Sequence, residues 1–400
     1  MKMPLSRLSS SSVSPTSELS VLRLGFRPFY LGGALFGVLA MMAWLGSLHG
    51  IALAGRAPAL GGILWHAHEM IFGFAVAIVA GFLLTAVRAW TSLETPSGAP
   101  LALLWLLWLA GRIAVWSGPE PLAAIVDSAF LPVLMIVLLR ALIPARNRHN
   151  IFVPVVLGML GLLNVLFHVW VLQGRADLAL RDADAAIGLL VTLVTIIAGR
   201  VTPMFTANAV PGYESRRWRT IEALAVPLPL LAFAFYALGA SAWLVGAVAG
   251  ATAVVHAIRL AGWRSWRVGR RPILTILHAA YAWVPLGFAL LALSAVGLVP
   301  HSVALHALTV GALGGAIIAM ITRTALGHTG HRLVAGPTDI ACYCLVIAAA
   351  ALRVFGPLLA GSWSAWWIDA AGLCWCAVFA LYARRYWFYL TRPRTDGKAG

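Results

Sequence analysis

Charge is what this 400-residue chain has least of: Asp, Glu, Lys and Arg together make up 10% of it, against about 25% in an ordinary soluble domain. A soluble fold of this size would need a charged surface that is missing. Acidic residues are scarcer than basic ones, 13 against 29. The net charge of +16 nevertheless fails as a nucleic-acid signal, because the basic residues sit in short loops between apolar blocks and form no extended basic face. The four cysteines, Cys342, Cys344, Cys374 and Cys376, all fall inside apolar blocks, which excludes a disulfide framework. Their two C-x-C pairs point about 200° apart on a helix, and they read as buried thiols. No phosphate-binding G-x-x-x-x-G-K loop occurs, so ATP is not the energy source. No stretch between apolar blocks is long enough to fold as a domain of its own.

What is present is hydrophobicity. Residues of apolar type make up 61% of the chain, with 17 Trp and 38 Gly. They are gathered into blocks of about 20 residues, the length that crosses a bilayer as a helix. The spans fall near 28–48, 64–87, 101–118, 121–143, 151–173, 184–205, 220–239, 241–260, 273–298, 301–322, 338–360 and 363–390. The expected fold class is an all-α integral membrane protein, a bundle of about twelve transmembrane helices with both termini cytoplasmic. Residues 1–24 read as a disordered Ser-rich tail, 25–390 as one helical domain and 391–400 as a basic tail. The first span is too long for the apolar core of a cleaved signal, and no Ala-x-Ala site follows it, so the N-terminus is expected to be retained. Orientation follows from the positive-inside rule. Of the 29 Lys and Arg, all but Arg56, Arg112, Arg175, Arg181 and Arg353 fall on the side of the termini.

Ionisable residues at membrane depth are costly and mark function by default. On this topology His49, His66, His68, His168, His301 and His306 lie towards the outer face. His149, His256, His278, His328 and His331 lie towards the inner one. Two layers are what metal or haem sites at two depths would give, and also what interface-loving His would give unaided. Outer candidates are His66, His68, His168 and His306. Inner candidates for a metal are His278 and His328.

The densest group is Trp65-His66-Ala67-His68-Glu69-Met70. Neutral imidazole is a common ligand for haem iron, copper and zinc. On a regular helix His66 and Glu69 share a face, with Glu69 as an orienter or proton acceptor, and His68 turns to a different helix or ion. The plain alternative is a pair of interface His beside a Trp anchor. Asn164 and His168 share a face at i and i+4. Gly311, Gly314 and Gly315 permit close packing of the tenth span, and Pro203 is expected to break the sixth. Arg27, Arg200 and Arg323 stand at the inner edge, where they could hold haem propionates or a small anion or simply follow the positive-inside rule.

These residues resemble a known family. Trp65-His66-Ala67-His68-Glu69-Met70-Ile71-Phe72-Gly73-Phe74, then Ala80-Gly81-Phe82-Leu83-Leu84-Thr85, is similar to the signature of the NnrS family. So are Phe26-Arg27-Pro28-Phe29, Pro203-Met204-Phe205-Thr206 with Asn208, and His306-Ala307-Leu308-Thr309-Val310-Gly311 with Arg323, Gly327 and His328. The resemblance runs from about residue 22 to 390. It implies a bacterial inner-membrane protein carrying haem and copper and associated with denitrification and the nitric oxide response. Departures are Arg88-Ala89-Trp90-Thr91, where members often read Pro-Asn-Trp-Thr, and His331 in place of a basic residue. The expected function is to bind, sense or turn over nitric oxide in the membrane, with lipid as its other partner. The alternatives are a twelve-span secondary transporter, suggested by the helix break at Pro203, and a haem or copper assembly factor.

Overall fold

In the computed structural model, which describes residues 19–51, 60–359 and 364–397, the chain is helical throughout and carries no strand among the described residues. Twelve helices are long and apolar enough to cross a membrane: α1 (Phe26–Leu48), α2 (Gly62–Thr91), α3 (Gly98–Ser117), α4 (Glu120–Leu142), α5 (Arg148–Leu172), α6 (Ala176–Ala209), α7 (Arg219–Ala237), α8 (Ala242–Val268), α9 (Pro272–Ala295), α10 (His301–His328), α11 (Pro337–Leu359) and α12 (Ala365–Thr391). They match the twelve spans expected from hydropathy, and the protein is a multi-pass membrane protein. Most of the Ser-rich tail lies outside the described residues. Its last residues form a short 3-10 turn, Ser20–Leu22, ahead of α1.

Helices adjacent in sequence pack as antiparallel neighbours, α11 on α12, α8 on α9 and α5 on α6 most extensively, and α12 returns to close against α1. Burial then sorts the helices into an inner and an outer set. The most apolar part of α2 is 83% buried and that of α10 is 67%, against 22% for α7 and 33% for α4, α5 and α8. Because lipid tails are as apolar as Leu, the outer set can leave Leu103, Ile113, Ile125 and Val254 uncovered at no hydrophobic cost. The exposed Trp243 and Trp366 stand at the starts of α8 and α12, where an indole suits the membrane–water boundary. With twelve spans the start of α1 and the end of α12 lie on one face, and α2 and α10 both begin at the far face.

Two helices depart from regular α geometry in the same way. In α2 a π-helical turn covers Glu69–Ala75, directly after His66 and His68. In α10 one covers Ala307–Gly314, directly after His306. A π turn widens the helix and frees carbonyls, and such turns recur at functional sites. Trp108 Nε1 donates to the Gly73 carbonyl at 2.9 Å, satisfying a backbone acceptor in the α2 turn.

One expectation is corrected. Pro203 does not break the sixth span, because α6 runs unbroken from Ala176 to Ala209. Proline lacks the N–H that would pair with the carbonyl four residues back, and that carbonyl belongs to Gly199. Arg217 Nη2 donates to it at 3.5 Å, which partly replaces the lost bond. The broken-helix argument for a transporter loses its basis here.

Candidate functional site

The far-face end of α2 divides two polar sites, because His66 and His68 leave the helix on opposite sides. Two residues at 100° each put them about 200° apart. His66 turns towards α1 and α10. Trp44 stacks on it with ring centroids 4.5 Å apart and an interplanar angle of 18°. His306 of α10 borders the same two cavities as His66, and so do Met41 and Trp375. The larger has a volume of about 170 Å³ between helices and is walled mainly by apolar side chains, Met70, Phe74 and Ile187 among them. The smaller also reaches Arg353 of α11. Among the described residues Arg353 has no carboxylate partner, and the buried Nδ1 of His66 has no hydrogen-bond partner. His306 donates Nδ1–H to the Ser302 carbonyl at 2.6 Å. A carbonyl can only accept, so Nε2 is the nitrogen left with a lone pair.

His68 turns the other way, into a cluster built by α2, α3, α4 and α5. Its Nδ1 meets Glu69 Oε1 at 2.8 Å, and its Nε2 meets Asn164 Oδ1 at 3.0 Å and Asp127 Oδ2 at 3.2 Å. His168 mirrors it, with Nε2 at 3.2 Å from the same Asp127 oxygen and Nδ1 at 2.6 Å from Glu120. Arg112 ties the acids together: Nη1 lies 2.5 Å from Glu69 and Nη2 contacts Asp127 Oδ1. Every member but Glu120 is almost fully buried, and Glu120 is the one at the rim. Two glycines make the approach feasible. A Cβ on Gly73 would meet Arg112 Nη1 at 2.8 Å, and one on Gly111 would meet Asp127 Oδ1 at 2.9 Å.

The structure therefore separates two residues that the sequence put on one face. His66 and Glu69, three apart, still differ by about 60° around a helix, and Arg112 and His68 hold Glu69 on the side of α3. The Asn164–His168 pair does share a face, and both residues reach Asp127.

The inner-edge candidates are not gathered into one pocket. Arg27 caps the end of α12 by donating Nη1 to the carbonyls of Leu390 at 3.0 Å and Arg392 at 2.8 Å. Arg200 donates to Asn150 at 2.7 Å, and Arg323 lies over the Phe205 ring at 3.8 Å. His278 has both nitrogens engaged by hydroxyls, Thr206 at 3.1 Å and Ser265 at 2.9 Å. His328 rests against Phe26, while His331 stacks flat on Tyr389 at 3.9 Å. Sequence reasoning missed Arg353, Arg112, Asp127 and Glu120 as site residues. In the sequence Arg112 and Arg353 count only towards the charge of the outer side. Asp127, an acid inside an apolar block, was the available signal.

A family model described as NnrS protein matches residues 20–394. The chain belongs to the NnrS family and is, at family level, a membrane protein related to the nitric oxide response. No curated protein matches it.

Proposed function

We infer that the protein is a haem- and copper-containing inner-membrane protein that acts in nitric oxide response, tolerance or metabolism, and that His66 and His306 hold the metal that meets the gas. The observation carrying this reading is that two imidazoles, from two buried helices with matching π turns, face one apolar cavity. His66 Nδ1 has no partner among the described residues, and His306 has Nε2 free. That donor set fits haem iron or copper, both of which take neutral imidazole nitrogen. A bound haem iron or copper would supply an open position for nitric oxide. The chain's own residues then orient and shield. Trp44 fixes the plane of His66, and the Ser302 carbonyl fixes the tautomer of His306, as the outer partners of ligating His usually do. Arg353 offers a cation to an anionic substituent of a cofactor. Apolar walls keep water out and suit an uncharged gas that partitions into lipid. By the positive-inside rule the termini are cytoplasmic and this cavity opens towards the outer side of the membrane.

Metal analysis of purified variants tests the assignment. His66→Ala and His306→Ala should each lower haem or copper content, and His149→Ala, at the other face, should not. Equal content in all three variants would contradict it.

A further inference from the structure

The second far-face cluster carries chemistry of its own. A ring nitrogen of His68, a ring nitrogen of His168 and a carboxylate oxygen of Asp127 all lie within 4.8 Å of one another, each on a buried side chain. Asn164 Oδ1 stands 3.0 Å from Nε2 of His68 and adds a fourth donor atom, the second oxygen of the set. We propose that these residues form a second metal site, for a non-haem divalent ion of the zinc or ferrous type.

Three features support an ion here over a plain hydrogen-bond network. The first is convergence: the Nε2 atoms of both imidazoles point at one Asp127 oxygen, each at 3.2 Å. The second is orientation from behind. Each imidazole has its other nitrogen on a carboxylate, Glu69 for His68 and Glu120 for His168. This carboxylate–histidine arrangement is what surrounds protein-bound transition metals, where it fixes the ring and raises its basicity. The third is charge. Among the described residues Arg112 alone opposes Glu69, Asp127 and Glu120, so with neutral imidazoles two negative charges are left over, and a divalent cation balances them. Uncompensated charge at membrane depth costs about 2.5–3.5 kcal/mol per residue even on the lenient insertion scale.

The donor set also selects the ion. Two imidazole nitrogens with one carboxylate is the set used by ferrous non-haem centres and, in catalytic sites, by zinc. No sulfur takes part, which argues against a site built for cuprous ion. Met41 and Met70 lie instead beside His66. Glu120, at the rim, marks the side from which an ion enters. This site stands apart from the His66–His306 reading, since each employs a different histidine of α2 and different neighbouring helices.

The test is elemental analysis and cobalt spectroscopy on the full-length protein in detergent. The purified protein should carry about one zinc or iron per chain beyond any iron in haem. After treatment with phenanthroline it should take up Co²⁺ and show visible d–d absorption. His168→Gln should abolish that absorption and leave the haem or copper content unchanged. Glu120→Gln, which keeps the three ligand atoms, should weaken cobalt binding by about 10- to 100-fold. His66→Ala should leave the cobalt spectrum intact, which separates failure of one site from failure of the other. Wild-type protein that carries no divalent ion, develops no cobalt bands and melts at the same temperature with and without chelator would overturn the proposal. Its charge would then be balanced by protons.

Discussion

Arg112 is the side chain on which the far-face cluster most depends. It is the sole cation facing Glu69 and Asp127 among the described residues. Removing one partner of a buried ion pair strands the other, at about 3–5 kcal/mol, and here two carboxylates would be stranded. Arg112→Ala should therefore lower the thermal midpoint in detergent far more than Arg112→Lys, and equal midpoints would contradict the pairing. Gly73 is the second point of dependence. A methyl there would stand 2.6 Å from the Phe36 ring as well as against Arg112. Gly73→Ala should cost about 1–3 kcal/mol as overpacking, read as a lower midpoint, whereas an exposed glycine would tolerate the change. At this scale the sequence was partly legible. His66, His68, His168 and His306 stood out as costly residues on apolar helices. Asp127 carries the same signal as an acid in an apolar block, but neither it nor Arg353 gives any sign in the sequence of which helix it will face.

At the scale of elements, the matched π turns of α2 and α10 set the rotation of the helical residues after them. Each holds its histidine on the far-face side while the rest of the helix packs in the centre of the bundle. Deleting Ala75, the last residue of the α2 turn, would restore α geometry and leave Val76–Thr91 facing nearly as before, because a π turn holds one residue more than the α turn that replaces it. Gly81 would stay against Phe29 and Tyr30, and the change would be confined to the turn beside His66. The deletion should keep the monodisperse peak in size-exclusion chromatography and lower haem or copper content, and unchanged content would show that the turn is dispensable to the site. The π turns were not legible, since a 3.6-residue period was assumed throughout. Pro203 reads as a break for a different reason, its missing N–H. A proline costs one hydrogen bond and a clash, and α6 absorbs both through Gly199 and Arg217.

For the molecule as a whole, hydropathy alone located all twelve spans, because a bilayer imposes helix length and backbone self-satisfaction more strictly than water does. Which helices lie at the centre was harder to read. The mostly buried α2 and the lipid-facing α4 share a mean hydropathy of 2.5, and only packing distinguishes them. Orientation is an expectation from loop charge and is open to direct test. Alkaline phosphatase fused after Gln173, between α5 and α6, should be active, and green fluorescent protein fused at the C-terminus should fluoresce. The reverse pair of results would invert the bundle and place the far-face cavity on the cytoplasmic side. The most direct measurement of the central claim is the absorption spectrum of the purified protein before and after anaerobic addition of nitric oxide. The account predicts a Soret band that shifts with the gas in the wild type and is lost in His66→Ala. A colourless, metal-free protein, or a band indifferent to both the gas and His66, would contradict it.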